Sequence, residues 1–102
     1  VCALNLLQAA KEAKWQGRFV LISSSDVYGP APEEQLPLTE TAPLNPETPY
    51  ARSKITMEEF GRYYNRDGLE LLIARPFNHI GPGQRSEFVV PAFLKRVADA
   101  MP

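Results

Sequence analysis

The chain has 102 residues, 44% of them hydrophobic, and a formal net charge of -1, which suits one small domain or part of a larger one. No basic run exceeds Lys95-Arg96 and no apolar run nears the ~20 residues of a membrane span, so neither nucleic acid nor a membrane is an expected partner. One cysteine, Cys2, excludes an intrachain disulfide, argues against a structural zinc site and suits a reducing cytosol, so a cytoplasmic location is expected.

Residues 1–14 are predicted to be helical. Val1, Leu4 and Leu7, with Leu6, Ala10 and Ala13, make a wide apolar stripe, and Gly17 offers a stop. The chain opens inside this helical pattern, with neither an initiator methionine nor a charged signal-peptide region, so it is expected to be an internal piece of a longer protein. Phe19-Val20-Leu21-Ile22 is an unbroken apolar run, the pattern of a strand covered on both faces. Ser23-Ser24-Ser25 ends it. Residues 29–49 hold six of the ten prolines and are expected to form an irregular loop of the long kind that often carries function. A second helix is predicted over about 50–66, with Met57, Phe60 and Tyr64 at helical spacing, Glu58 and Arg62 as an i,i+4 pair, and Asp67-Gly68 as its end. Residues 69–74 read as a second strand and Pro76 to Gly83 as another loop. Phe88 to Ala100 reads as a third helix, with Pro91 near its first turn.

Helix, strand, helix, strand, helix is the order of an α/β fold with a parallel sheet and a right-handed crossover. Ligands of such sheets bind beyond the carboxyl ends of the strands. Ser23 to Ser25 leave one strand there, Arg75 to Asn78 leave the other, and the long loop can bring Tyr50 to the same edge. Tyr50 and Lys54, four residues apart, share a helix face. A free phenol, with its pKa near ~10, holds its proton at neutral pH, whereas a nearby ammonium favours phenolate. Such a pair can serve as acid or base toward a carbonyl or an alcohol, with a strand-end serine hydroxyl on the same oxygen. The spacing alone equally suits a half-buried tyrosine with a snorkelling lysine.

Taken together, Ser23-Ser24-Ser25-Asp26-Val27-Tyr28-Gly29, the proline-rich loop, Pro49-Tyr50-Ala51-Arg52-Ser53-Lys54 and Arg75-Pro76-Phe77-Asn78 resemble the extended short-chain dehydrogenase/reductase family of sugar-nucleotide epimerases, dehydratases and reductases. The first helix, with Asn5-Leu6-Leu7-Gln8-Ala9-Ala10, extends the resemblance over nearly the whole chain. It implies part of a Rossmann-like doubly wound parallel sheet. Residues 1–84 would be the C-terminal half of an NAD(P)-binding domain, and 85–102 the start of a substrate-binding region. It further implies Ser24, Tyr50 and Lys54 as catalytic residues. Ile22, Ser23, Pro76 and Phe77, with Tyr50 and Lys54, would lie against NAD or NADP. Ser25, Asp26 and Asn78 would touch a sugar-nucleotide.

The stretch from Ala74 through Gln84, followed by Phe88-Val89-Val90-Pro91, is most similar to that family's GDP-6-deoxy-4-keto-mannose reductases, relatives of GDP-mannose 4,6-dehydratase. On that resemblance the reaction is reduction of a 4-keto group by NAD(P)H to give GDP-rhamnose. Phe88, Val89 and Lys95 would approach the nucleotide and Arg85 its pyrophosphate. Ser24-Ser25-Asp26 stands where dehydratases carry Thr-Asp-Glu or Thr-Ser-Glu, which favours a reductase or epimerase; Asp26 also fits a plain turn carboxylate. GDP-mannose 4,6-dehydratase or another sugar-nucleotide epimerase or dehydratase, and a non-catalytic NAD(P)-binding sensor or scaffold, are the alternatives, but such non-catalytic members of this family usually lose the Tyr or the Lys. No Gly-x-x-Gly-x-x-Gly fingerprint of the N-terminal βαβ unit is present, so the chain alone is expected to be inactive. Gly81-Pro82-Gly83 lacks a Walker lysine and reads as a turn. His79, the sole histidine, has no His or Cys partner for a metal and reads as structural, while Trp15 and Cys2 read as core or helix-surface residues. The resemblance also implies a homodimer for the full-length protein, with helices one and two as the candidates for its interface.

Overall fold

A computed structural model describes residues 2–101. Five principal elements follow in order: α1 (Cys2–Glu12), β1 (Phe19–Ile22), α2 (Pro49–Arg66), β2 (Leu71–Ala74) and α3 (Val89–Ala100). The fold is α/β. β1 and β2 pair in parallel, with Phe19 opposite Leu71 and Ile22 opposite Ala74, and α2 crosses between them.

The first helix is shorter than its apolar stripe. Its chain reverses at Lys14, which takes a left-handed φ of 52°, while the Trp15 amide reaches back to the Ala10 carbonyl at 2.9 Å. That is the helix stop usually given to glycine; Gly17 lies beyond it, under the Trp15 ring. Val1 of the expected stripe lies outside the described residues. α2 starts one residue before Tyr50, where the Thr48 hydroxyl accepts from the Ala51 amide at 3.0 Å and Pro49 takes the first helical position. It ends as expected, with Gly68 at a φ of 94°. β2 starts at Leu71 rather than Leu69, because the Leu69 amide closes the preceding turn on the Tyr64 carbonyl. Two 3₁₀ turns, Ser25–Tyr28 ahead of the proline-rich loop and Glu33–Gln35 within it, carry no apolar periodicity to announce them.

Leu7, Leu21 and Leu69 form the buried core, flanked by Ala10, Met57, Tyr64, Leu71 and Ile73. Both α1 and α2 therefore lie on one face of the sheet, and Gly61 lets α2 come close enough that a Cβ there would stand 3.3 Å from Leu71. On the other face Val20, Ile22 and Leu72 are exposed, so this stretch of chain supplies the cover of one face only. No residue of α3 is buried. The Cα radius of gyration is 17.9 Å, against ~13 Å for a closed domain of this length. No helix among the described residues is long and apolar enough to cross a membrane.

Gly29 fixes the entry to the long loop. Its φ of 64° and ψ of -164° lie where only glycine is comfortable, and a Cβ there would collide with the Asn45 carbonyl oxygen. Gly29→Ala in the whole protein is expected to cost about 2–4 kcal/mol, combining backbone strain with overpacking. A urea midpoint equal to that of the parent would refute this.

Candidate active site

The hydrogen bonds of the sheet run past its last paired residues. Ser23 donates its amide to the Ala74 carbonyl at 2.7 Å and Ser25 to the Pro76 carbonyl at 3.0 Å. Segments 23–25 and 74–76 are thus drawn side by side beyond the strand ends. The first turn of α2 opens beside them, and together they bound a cleft of about 610 Å³.

Ile22, Ser23, Ser24, Ser25, Asp26, Tyr50, Lys54, Pro76, Phe77, Asn78, Phe88 and Val89, all singled out from the sequence, line this one cleft. Arg85 does not; it lines an adjoining hollow with Gly81, Pro82 and Gly83. Lys95 lines neither. It stands six residues beyond Val89 on α3, some ~9 Å further along the helix axis, and is exposed. His79, Ile80, Gln84 and Val90 also line the cleft. The sequence placed these in a loop and a helix start without a role. His79 Nδ1 lies 3.1 Å from the Phe77 carbonyl, so Nδ1 carries the proton of that contact. Trp15 and Cys2 are both exposed. Among the described residues no cluster of His, Cys, Asp or Glu is arranged to hold a metal ion.

The polar groups of the cleft are held in defined ways. Lys54 Nζ donates to the carbonyl of Ile22 at 2.9 Å and sits 5.5 Å from the centre of the Tyr50 ring. The last residue of β1 therefore fixes the ammonium next to the phenol, and Tyr50 itself stays 52% exposed. Ser24 caps the first 3₁₀ turn, its Oγ accepting from the Asp26 amide at 3.2 Å. As an acceptor there, it keeps its O–H free to donate into the cleft.

Behind the cleft lies a group of residues that the sequence did not bring together. Glu58, wholly buried, receives Arg75 on both oxygens, Nε to Oε1 at 2.9 Å and Nη2 to Oε2 at 2.7 Å, and Arg62 on Oε2 at 2.8 Å. Arg75 Nη1 also donates to the Tyr28 hydroxyl at 2.9 Å and to the Glu40 carbonyl at 3.2 Å. Tyr28 stacks on Phe77 of the cleft, ring centres 6.4 Å apart. The Ser23 hydroxyl is buried near the same carboxylate without a well-formed hydrogen bond to it. The sequence offered a faint signal: a glutamate in register with the buried face of α2, and an arginine closing an apolar strand.

Burial acts to raise the Glu58 carboxyl, but the hydrogen bonds and charge of Arg75, with the charge of Arg62, outweigh it and hold the group below the usual carboxylate range. The Arg75 guanidinium is held well above its ordinary value, chiefly by its hydrogen bonds to Glu58. A carboxylate depressed on folding adds stability above its unfolded value, near 4.5, and loses it as pH falls through the folded value. Below about pH 4.5 the parent protein is therefore expected to lose stability more steeply than Glu58→Gln. Parallel acid limbs in denaturant titrations between about pH 3 and 6 would refute this assignment.

Comparison with known proteins adds three findings. Residues 1–102 match the pattern of a family described as "Epimerase: NAD dependent epimerase/dehydratase family". Among curated proteins, GDP-6-deoxy-D-mannose reductase of Pseudomonas aeruginosa is 45% identical over 96 residues, covering 93% of this chain and 32% of that protein. A dTDP-glucose 4,6-dehydratase of Streptomyces niveus is 37% identical over 95 residues, covering 92% and 27%. Among solved structures, that of RMD from Pseudomonas aeruginosa complexed with NADPH superposes with a TM-score of 0.84 at 44% identity, over 94% of this chain and 33% of that one. The chain thus spans about a third or less of the length of the curated relatives it matches.

Proposed function

Because this chain belongs to the NAD dependent epimerase/dehydratase family, we propose that the whole protein is an NAD(P)-dependent sugar-nucleotide oxidoreductase that reduces the 4-keto group of GDP-4-keto-6-deoxymannose to give GDP-rhamnose. The observation that carries this reading is the Lys54 ammonium tethered at the strand end beside Tyr50, in a cleft that Ser24 and Asn78 also line. The choice of sugar and nucleotide follows the 45% identical reductase.

The apolar walls Ile22, Pro76 and Phe77 next to a fixed ammonium fit a flat nicotinamide with its ribose. When bound, that group supplies the hydride of the reaction. Tyr50 gives its proton to the oxygen on which charge develops, and the Lys54 ammonium stabilises the phenolate left behind. Ser24, its hydroxyl proton free, donates to the same oxygen and orients it. Ser25, Asp26 and Asn78 hold the hexose, while Phe88 and Val89 lie toward the nucleotide. Arg85 and Lys95, outside the cleft, serve this reading only as more distant cations for the diphosphate. Residues 1–84 are the catalytic half of the cofactor domain and 85–102 begin the substrate region. The whole protein acts in the cytoplasm as a homodimer, with α1 and α2 at its interface.

The second reading is a 4,6-dehydratase, favoured by the 37% identity to one. The deciding experiment is an assay of the whole protein with GDP-4-keto-6-deoxymannose and, separately, GDP-mannose. Consumption of NAD(P)H with the first supports the reductase. Conversion of the second without net cofactor use supports the dehydratase and overturns the reductase.

A further inference from the structure

Glu58 follows Tyr50 and Lys54 at i+8 and i+4 on α2, one turn deeper and wholly buried. Stability alone is a poor reason for a charge there, since well-packed apolar residues commonly replace a buried ion pair at no loss. The geometry suggests a better one. The Arg75 guanidinium is a junction: two of its nitrogens grip Glu58 on α2, and the third holds the Tyr28 hydroxyl at the end of the 3₁₀ turn. The Tyr28 ring lies under the Arg75 guanidinium at 5.0 Å and stacks on Phe77, two residues beyond Arg75 itself. Three segments that bound the cleft, namely 23–28, α2 and 75–78, therefore meet on one rigid planar cation.

We propose that Glu58 and Arg75 are positioning residues: Glu58 fixes the guanidinium, the guanidinium fixes Tyr28, and Tyr28 sets the Phe77 wall of the cleft that Tyr50 and Lys54 also line. Its consequence for catalysis rests on the oxidoreductase reading above, since Phe77 is there a wall of the nicotinamide pocket. A loosened wall then weakens the hold on the cofactor and leaves the proton relay of Tyr50 and Lys54 in place.

The test uses the full-length protein as Glu58→Gln and, because that variant risks misfolding, as Tyr28→Phe, which keeps the ring stack and removes only the bond to Arg75. Hydrogen exchange of the Ser25 amide, which ties segment 23–28 to the Pro76 carbonyl, is expected to quicken about tenfold in both variants while the β1 amides hold the parental rate. The KM for NAD(P)H is expected to rise about tenfold with kcat changed less than about threefold. Gly61→Ala, which perturbs the contact of α2 with Leu71 away from this junction, serves as the control for general softening and is expected to leave that KM at the parental value. Parental exchange of the Ser25 amide in folded Tyr28→Phe, or an equal KM rise in Gly61→Ala, would overturn the proposal. A parent without NAD(P)H turnover would sink the functional reading instead, while the exchange rates would still decide the positioning role.

Discussion

Tyr50→Phe in the full-length protein is expected to lower kcat by about 10²- to 10⁴-fold, the usual worth of a positioned proton donor. NAD(P)H affinity should stay within about twofold, because only one oxygen is removed. The structure gives a reason to expect so clean a split. The Lys54 ammonium is held by the Ile22 carbonyl and not by the phenol, and the ring it approaches at 5.5 Å survives in phenylalanine. Both the charge and the shape of the cleft therefore persist when the acidic proton is gone. The rate is followed by the loss of NAD(P)H absorbance with the keto-sugar nucleotide, and the affinity by cofactor fluorescence. A variant with more than a tenth of the parental kcat would remove Tyr50 from the chemistry.

Arg75→Met is expected to destabilise the whole protein by about 3–5 kcal/mol, the range found when one partner of a buried pair is removed. Glu58 would remain in a site with no exposure, with Arg62 as its sole cation, and that side chain is itself 38% exposed. The Tyr28 hydroxyl and the Glu40 carbonyl would lose a donor as well. The double variant Glu58→Met with Arg75→Met is expected to be less damaged than Arg75→Met alone, since no charge is then left buried without its partner. Urea unfolding of the four members of this cycle measures the coupling. A cost under about 1 kcal/mol for Arg75→Met would show the pair to be solvated in the folded protein.

Much of this was legible from residues alone because it depends on local pattern. Phe19 to Ile22 could hardly be anything but a strand, and Tyr50 and Lys54 must share a face once Thr48 and Pro49 start a helix. The parallel order then carried both strand ends and Tyr50 to one edge, and the cleft lies there. What stayed hidden depends on pairs far apart in sequence or on unusual backbone. Glu58 and Arg75 are separated by 17 positions and meet only through the packing of α2 on β2. From the sequence Glu58 was one half of an i,i+4 pair with Arg62, which it is, but as the wholly buried half. Lys14 occupies a left-handed position that composition would assign to glycine, so the stop of α1 was misplaced. The even hydrophobicity of the strands promised two covered faces, yet hydrophobicity names a need for cover and not what supplies it. Arg85 and Lys95 were placed by resemblance, and side-chain reach was left to the structure to decide.

The bond from Lys54 to the Ile22 carbonyl has a consequence for how strongly ligands are held. A free lysine side chain carries about 2 kcal/mol of rotamer entropy, which a ligand that had to gather it from solution would forfeit on binding. Here much of that freedom is surrendered while the chain folds, before any ligand arrives. One N–H of the ammonium is engaged by the strand and two remain for whatever enters the cleft. The affinity of the site for its ligand is thus set in part by the register of a parallel sheet, through the backbone carbonyl of a residue that also lines the cleft.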